Sequence, residues 1–311
     1  MDVLLTIFVD PFLDMFSDPV FFMEVIVTGL LTGVMYSLVA LGFVLIFKAS
    51  GVFNFAQGAM VLFAALTLVG LMERGVPVWL ALIITAGLMT ILAVLIERLV
   101  LRPLVNQPEI ILFMATIGIT FFLEGFGETV WGSDIHPLDV GIPAESFEIA
   151  GMLLNEFDIY AAVIGAVMVV TLAIFFQKTA IGRALRAVAD DHQAALSVGI
   201  PLKTIWIVVW SVAGFVGLVA GIMWGSKSGV QFSLSLIALK ALPVLILGGF
   251  TSIPGAIVGG LIIGVGEKIA EIYWGPLVGG AIETWFAFML ALVFLLFRPQ
   301  GLFGEKIIER V

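Results

Sequence analysis

Apolar runs of about 20 residues recur along the whole chain, divided by short polar or glycine-marked breaks. They fall at roughly 22–47, 52–72, 77–97, 108–131, 157–177, 204–224, 232–250, 255–272 and 278–297. Each is long enough to cross a bilayer as a helix. The pattern predicts nine crossings, with two places that leave eight or ten open. One is the stretch before the first run, where Asp10, Asp14 and Asp18 are spaced by four. It reads as an interfacial helix or a short extra span over residues 1–19. The other is the pair at 232–272, read as two full spans or as two half-spans that re-enter. The expected fold class is an all-α integral membrane protein: a polytopic helical bundle of about 8–10 transmembrane helices, with broken or re-entrant helices among them.

Composition sharpens this picture. Of 311 residues, 61% are hydrophobic and 12% charged, whereas a soluble domain carries about a quarter charged residues. Residues 1–311 therefore read as a single transmembrane domain with no room for a soluble catalytic domain. The N-terminus lacks the basic region of a signal peptide. Cysteine is absent, which removes disulfides and thiolate metal sites. Ten of the fourteen bases fall in four places: Lys48; Arg98 and Arg102; Lys178, Arg183, Arg186 and Lys203; and Arg298, Lys306 and Arg310. The bias of Lys and Arg toward cytoplasmic loops puts these four inside. The acid-rich stretch 132–156 becomes an external loop, 178–203 a cytoplasmic segment and 298–311 a cytoplasmic tail.

The segment GRALRAVADDHQAALSVG, Gly182 to Gly199, is polar and helix-prone between two spans. Arg183, Arg186, Asp190, Asp191 and His192 supply a charged side of a short helix, and Arg186 and Asp190 are spaced to pair. Ala184, Leu185, Val188, Ala194, Ala195 and Leu196 supply an apolar side. A glycine before the helix and another after it mark its ends. The pattern reads as a docking helix offered to a soluble partner, beside the plainer reading of a solvated connection.

Glycines lie in small-xxx-small spacing at Gly29 and Gly33, Gly217 and Gly221, Gly255 and Gly259, and Gly260 and Gly264. In lipid such pairs let backbones approach closely. Two stretches read as helix breaks at membrane depth: Lys48–Gly51, and Gly248, Gly249, Pro254 and Gly255. Ser50–Phe55 (SGVFNF) also echoes Ser228–Ser233 (SGVQFS). The two copies lie on opposite sides of the predicted topology, as an inverted repeat requires.

Polar side chains within the runs need a partner, a cavity or an interface. Asn54 and Gln57 follow the first break, Thr116 and Glu124 sit in the fourth run, and Lys240 in the seventh. They are candidates to line a solute route, against a reading as helix-to-helix bonds. Lys240 either pairs with an acid such as Glu124 or caps a broken helix. Lys268, Glu271 and Glu283 read as helix-to-helix partners. His136 and His192 have no neighbouring ligands for a metal. No phosphate loop, nucleophile elbow, His-Glu-x-x-His pair or basic aromatic stripe occurs, which argues against an enzyme and against nucleic acid.

Three segments together resemble a known family: TGLLTGVMYSLVALGFVLIFKASGVFNFAQ (Thr28–Gln57), the GRALRAVADDHQAALSVGI stretch, and LILGGFTSIPGAIVGGLIIGVGE (Leu245–Glu267), with FRPQGLFG at Phe297–Gly304. They are similar to the permease subunits of branched-chain amino-acid ABC importers, in particular the H-type partner. The resemblance implies a type II ABC importer-like permease of a bacterial inner membrane. It implies pairing with a sister permease, two ATPase subunits that bind ATP and Mg, and a periplasmic solute-binding protein, with no cofactor in this chain. It makes the Gly182–Gly199 segment the coupling helix. Relatives carry branched-chain and other amino acids, urea, short amides and aromatic acids. The alternatives are an ion-coupled secondary transporter with Glu124, Lys240 and Glu267 as a relay, and a structural membrane subunit.

Overall fold

The computed structural model describes residues 7, 9–104, 107–143, 145–190 and 192–304. In chain order the helices are α1 (Asp10–Ser17), α2 (Pro19–Ser50), α3 (Gln57–Glu73), α4 (Val78–Ile96), α5 (Glu109–Trp131), α6 (Glu156–Lys178), α7 (Ala180–Asp190), α8 (His192–Ser197), α9 (Leu202–Ser228), α10 (Ile237–Gly248), α11 (Ile253–Tyr273), α12 (Gly275–Val278) and α13 (Phe286–Phe297). Six helices are long and apolar enough to cross a membrane, and three shorter apolar ones cover Gln57–Glu73, Phe232–Gly248 and Phe286–Phe297. These match the nine predicted runs in order. The Phe232–Leu236 turn of 3-10 helix followed by α10 spans about 28 Å, close to the hydrocarbon thickness. α1 has eight residues and a length of about 12 Å, which is too short to cross.

Two compact units form. One takes the described residues of Met1–Ser37, Gly141–Val167 and Lys240–Val311; the other takes Leu38–Val140 and Met168–Leu239. In the second unit α9 packs along α3 and α4, and α3 also meets α5. Glycine makes this packing close. A Cβ on Gly221 would stand 2.8 Å from the Val61 carbonyl oxygen, and one on Gly217 would touch the Met60 backbone at 3.4 Å. Trp210, Met60, Leu62, Leu66 and Met89 fill the interior. In the first unit, Gly260 and Gly264 of α11 lie against Gly33 and Gly29 of α2, so two predicted glycine pairs meet each other. Large apolar side chains turn outward along the spans, among them Ile83, Phe121, Phe122, Val167 and Leu296. That is the surface a bilayer requires rather than one water would accept.

The 132–156 loop holds what the hydrophobic pattern did not show. Ser146–Ile149 (β1) pairs antiparallel with Met152–Asn155 (β2). Ala150 and Gly151 both have positive φ, +53° and +84°, as a tight hairpin turn needs. Glu24 of α2 accepts the Leu153 N–H at 2.8 Å and ties the hairpin down. His136 bridges to Val230 through the backbone, and its Nδ1 lies 2.7 Å from Glu73.

Candidate functional site

A break separates α2 from α3. α2 ends at Ser50, and Gly51 takes φ +69°, a left-handed value that costs glycine little. Residues 52–56 then run to α3. Phe43, Phe53, Phe55 and Phe113 form a continuous chain of ring contacts at 4.8–5.0 Å along this segment. The echo at Ser228 repeats the geometry: α9 ends at Ser228, Gly229 has φ +76°, and Val230 is buried as Val52 is.

Asn54, Gln57 and Thr116 are fully buried and meet at this break. Asn54 Oδ1 accepts the Ala56 N–H at 3.1 Å, and its Nδ2 donates to Gln57 Oε1 at 3.4 Å. Gln57 Nε2 donates to the Ala213 carbonyl of α9 at 3.2 Å. Thr116 accepts the Phe55 N–H at 3.2 Å and donates to the Phe113 carbonyl at 2.8 Å. These groups thus spend their hydrogen bonds on the freed backbone and on one another. Of the two readings offered by the sequence, helix-to-helix bonding and a solute route, these bonds are of the first kind: here they brace the break. A buried polar atom without a partner costs more than a satisfied one gains, so bracing is what a broken helix in lipid requires. Glu124 is half-buried and makes no ion pair or side-chain hydrogen bond among the described residues.

The second break joins α10 to α11. Gly249 has φ +102°, and Ser252 caps α11 by accepting the Gly255 N–H at 3.1 Å, with Pro254 in the first turn. Gly248 and Gly255 face each other so closely that a Cβ on either would overlap the other's carbonyl. The FRPQGLFG ending folds back here. Leu302 and Phe303 donate their N–H groups to the Leu247 and Gly248 carbonyls at 2.8 and 3.2 Å, which satisfies the end of α10. The part of the predicted tail from 298 to 304 is therefore attached to α10, and 305–311 lie outside the described residues.

Lys240, in the first turn of α10, pairs with an acid, and that acid is Glu283 at 3.6 Å. Its Nζ also lies 3.4 Å from the Tyr36 hydroxyl, which donates to Glu267 at 2.8 Å. Glu271 accepts the backbone N–H groups of Ala281 and Glu283, each at 3.0 Å. Tyr36 was not singled out in the sequence; the adjacent hydroxyls of Tyr36 and Ser37 inside an apolar run were the available signal.

The 182–199 segment forms two helices, α7 and α8, where one was expected. Gly182 lies inside the first turn of α7 rather than before it. It is buried against the Phe176 backbone, and a Cβ there would overlap the Phe176 carbonyl. Arg186 does not pair with Asp190. It donates instead to the Phe176 and Gln177 carbonyls, and Arg183 to the Lys178 carbonyl at 3.2 Å. Carbonyls at a helix C-terminus lack intrahelical donors and carry partial negative charge, so two guanidinium groups outcompete an exposed carboxylate. Gly199, with φ +85°, closes α8. Its N–H bonds to Leu196 and the Ile200 N–H to Ala195, which is a Schellman ending. Leu185, Val188 and Ala195 are buried, whereas Ala194, Leu196 and Val198 are exposed. Asp191 lies outside the described residues.

The family model described as branched-chain amino acid transport system / permease component matches residues 25–297. The high-affinity branched-chain amino acid transport system permease protein BraD of Pseudomonas aeruginosa is 28% identical, over 93% of this chain and 98% of its own. The corresponding protein LivH of Escherichia coli is 26% identical over 94% and 98%. Among solved structures, PsaBC from Streptococcus pneumoniae in complex with Fab shares the fold, with a TM-score of 0.50 and 14% identity over 92% of this chain and 93% of that one. With its apolar helices, its two glycine-marked breaks and a family match across nearly its whole length, this chain belongs to the branched-chain amino acid transport permease family.

Proposed function

We propose that this protein is one transmembrane permease of an ABC importer in a bacterial inner membrane. With a sister permease it forms the passage through which a branched-chain amino acid or a related small polar solute enters the cytoplasm. A periplasmic binding protein delivers the solute, and two partner ATPases hold the ATP and Mg that drive the step. The charge pattern supports an external hairpin loop and a cytoplasmic α7–α8 segment. On this reading residues 1–311 act as a single permease domain.

The observation that carries the reading is the α7–α8 pair. Arg183 and Arg186 hang it on the end of α6, Leu185, Val188 and Ala195 seat it, and Leu196 and Val198, 52% and 74% exposed, point away. Exposed apolar side chains on a short, well-anchored cytoplasmic helix are what a soluble motor needs to grip. The test is copurification from membranes followed by reconstitution. The chain is expected to bring a sister permease and ATPases with it. Leu196→Glu should abolish solute-stimulated ATP hydrolysis while insertion and melting stay unchanged. Uptake by the chain alone, driven by an ion gradient, would instead establish the secondary-transporter alternative.

A further inference from the structure

The Lys240 cluster has chemistry that the packing of the fold does not call for. Four charged groups from three elements meet in the first unit: Lys240 on α10, Glu267 and Lys268 on α11, and Glu283 on the turn before α13. The set is two acids and two bases, with a third acid, Glu271, close to Lys268 on α11.

Its contacts are of two kinds. On one edge they are tight. The Tyr36 hydroxyl donates to Glu267 Oε2 at 2.8 Å, and Glu267 is 1% exposed. Glu271 pins the backbone of the turn by accepting the N–H groups of Ala281 and Glu283. On the other edge they are loose. The Glu283 carboxylate stands 3.6 Å from both Lys240 and Lys268, against about 2.7–2.9 Å for a well-made charge-assisted bond. These three side chains are 27%, 29% and 36% exposed. Glu267 Oε1, by contrast, is buried and has no hydrogen-bond partner among the described residues. An unmet carboxylate oxygen beside loosely held ammonium groups is a site with donors and acceptors to spare.

We infer that Lys240, Lys268, Glu283 and Glu267 form a polar station for the head group of a zwitterionic α-amino acid. A zwitterion is itself an ion pair and can insert into an ion pair. The solute carboxylate takes the place of the Glu283 carboxylate on Lys240 and Lys268. The solute ammonium has three N–H groups; Glu283 accepts them at the exposed edge, and the buried Glu267 carboxyl stands behind as the second acid of the cluster. No charge is left unpaired at any stage, which keeps the cost of dehydration low in an apolar surrounding. A solute lacking either charge leaves one side of the cluster uncompensated. In the proposed topology the station lies toward the external ends of α10 and α11, where a delivered solute arrives first. The inference rests on the proposed importer function and specifies the solute class.

The test uses the complete complex of permeases and ATPases with its binding protein available separately. Without the binding protein, saturation-transfer NMR of the detergent-solubilised complex is expected to show contact with leucine, and weaker contact with leucinamide and with 4-methylpentanoate. Lys240→Met should reduce the leucine signal about tenfold, as the loss of one hydrogen bond to a charged group does, and Lys240→Arg should keep it. Glu283→Gln serves the same purpose where Lys240→Met fails to assemble. Equal transfer to all three solutes, or equal transfer in wild type and both variants, overturns the station. Leucine uptake with the binding protein present separates the two readings. A wild-type complex that moves no α-amino acid overturns the proposed solute. A wild-type complex that does so, with unchanged uptake per folded complex in both variants, overturns the station alone.

Discussion

Replacing Gly264 by alanine tests the way this fold holds itself together. Gly264 is on the α11 face that packs on α2, and a Cβ there would stand 2.5 Å from the Gly29 carbonyl oxygen and from the Gly33 Cα. Both neighbours are backbone, so no side chain can swing away. Restoring a 3.4 Å contact requires the helices to part by about 0.9 Å, a gap that forfeits a quarter to a half of the dispersion attraction. For a seam of roughly 30 atom pairs at about 0.15 kcal/mol each, the loss is about 1–2 kcal/mol. The higher helix propensity of alanine offsets up to about 1 kcal/mol of this. Gly118 is the control. It lies in α5 with nothing within 4 Å of its Cβ position, so Gly118→Ala gains the propensity and loses no packing. Purified protein in mild detergent, melted while its intrinsic tryptophan fluorescence is followed, reads both. The net loss of up to about 1–2 kcal/mol should make Gly264→Ala melt about 2–4 °C below wild type, and Gly118→Ala should melt at or slightly above it. Equal shifts in the two variants, or a rise for Gly264→Ala, would refute the argument that glycine is present at the α2–α11 seam for close approach.

Two further outcomes follow from particular contacts. Asn54→Leu removes the acceptor of the Ala56 N–H at a fully buried position and should cost about 1–3 kcal/mol, seen as a lower melting temperature. Unchanged melting with lost uptake would instead place Asn54 on the solute route. The chain has no native cysteine, so a single cysteine at Ser133 should react with an impermeant thiol reagent in whole spheroplasts, and one at Thr179 should not. Reversed labelling would invert the proposed topology.

The sequence by itself determined the spans and the family. Helices in lipid must satisfy their own backbone, so an apolar run about 20 residues long leaves little choice of local structure. Gly51 and Gly249 take a left-handed φ just past the ends of α2 and α10, a conformation few other residues adopt without strain. The glycine pairs at 29 and 33 and at 260 and 264 were visible as pairs, but that they face one another is a property of the packed helices. The partners of charged and polar groups were decided only in three dimensions. Arg186 and Asp190 are spaced for an ion pair, yet the open carbonyls at the end of α6 are nearer and more demanding acceptors. Asn54 and Gln57 have the same amides whether they face a route or brace a break, and their burial beside Thr116 and the Ala213 carbonyl is a property of the packed helices alone. The cluster of Lys240 and Glu283 joins residues 43 positions apart with Tyr36 more than 200 positions away. A hydrophobic period reports which face of a helix is buried; it holds no information about which polar atoms arrive on the other side of the contact.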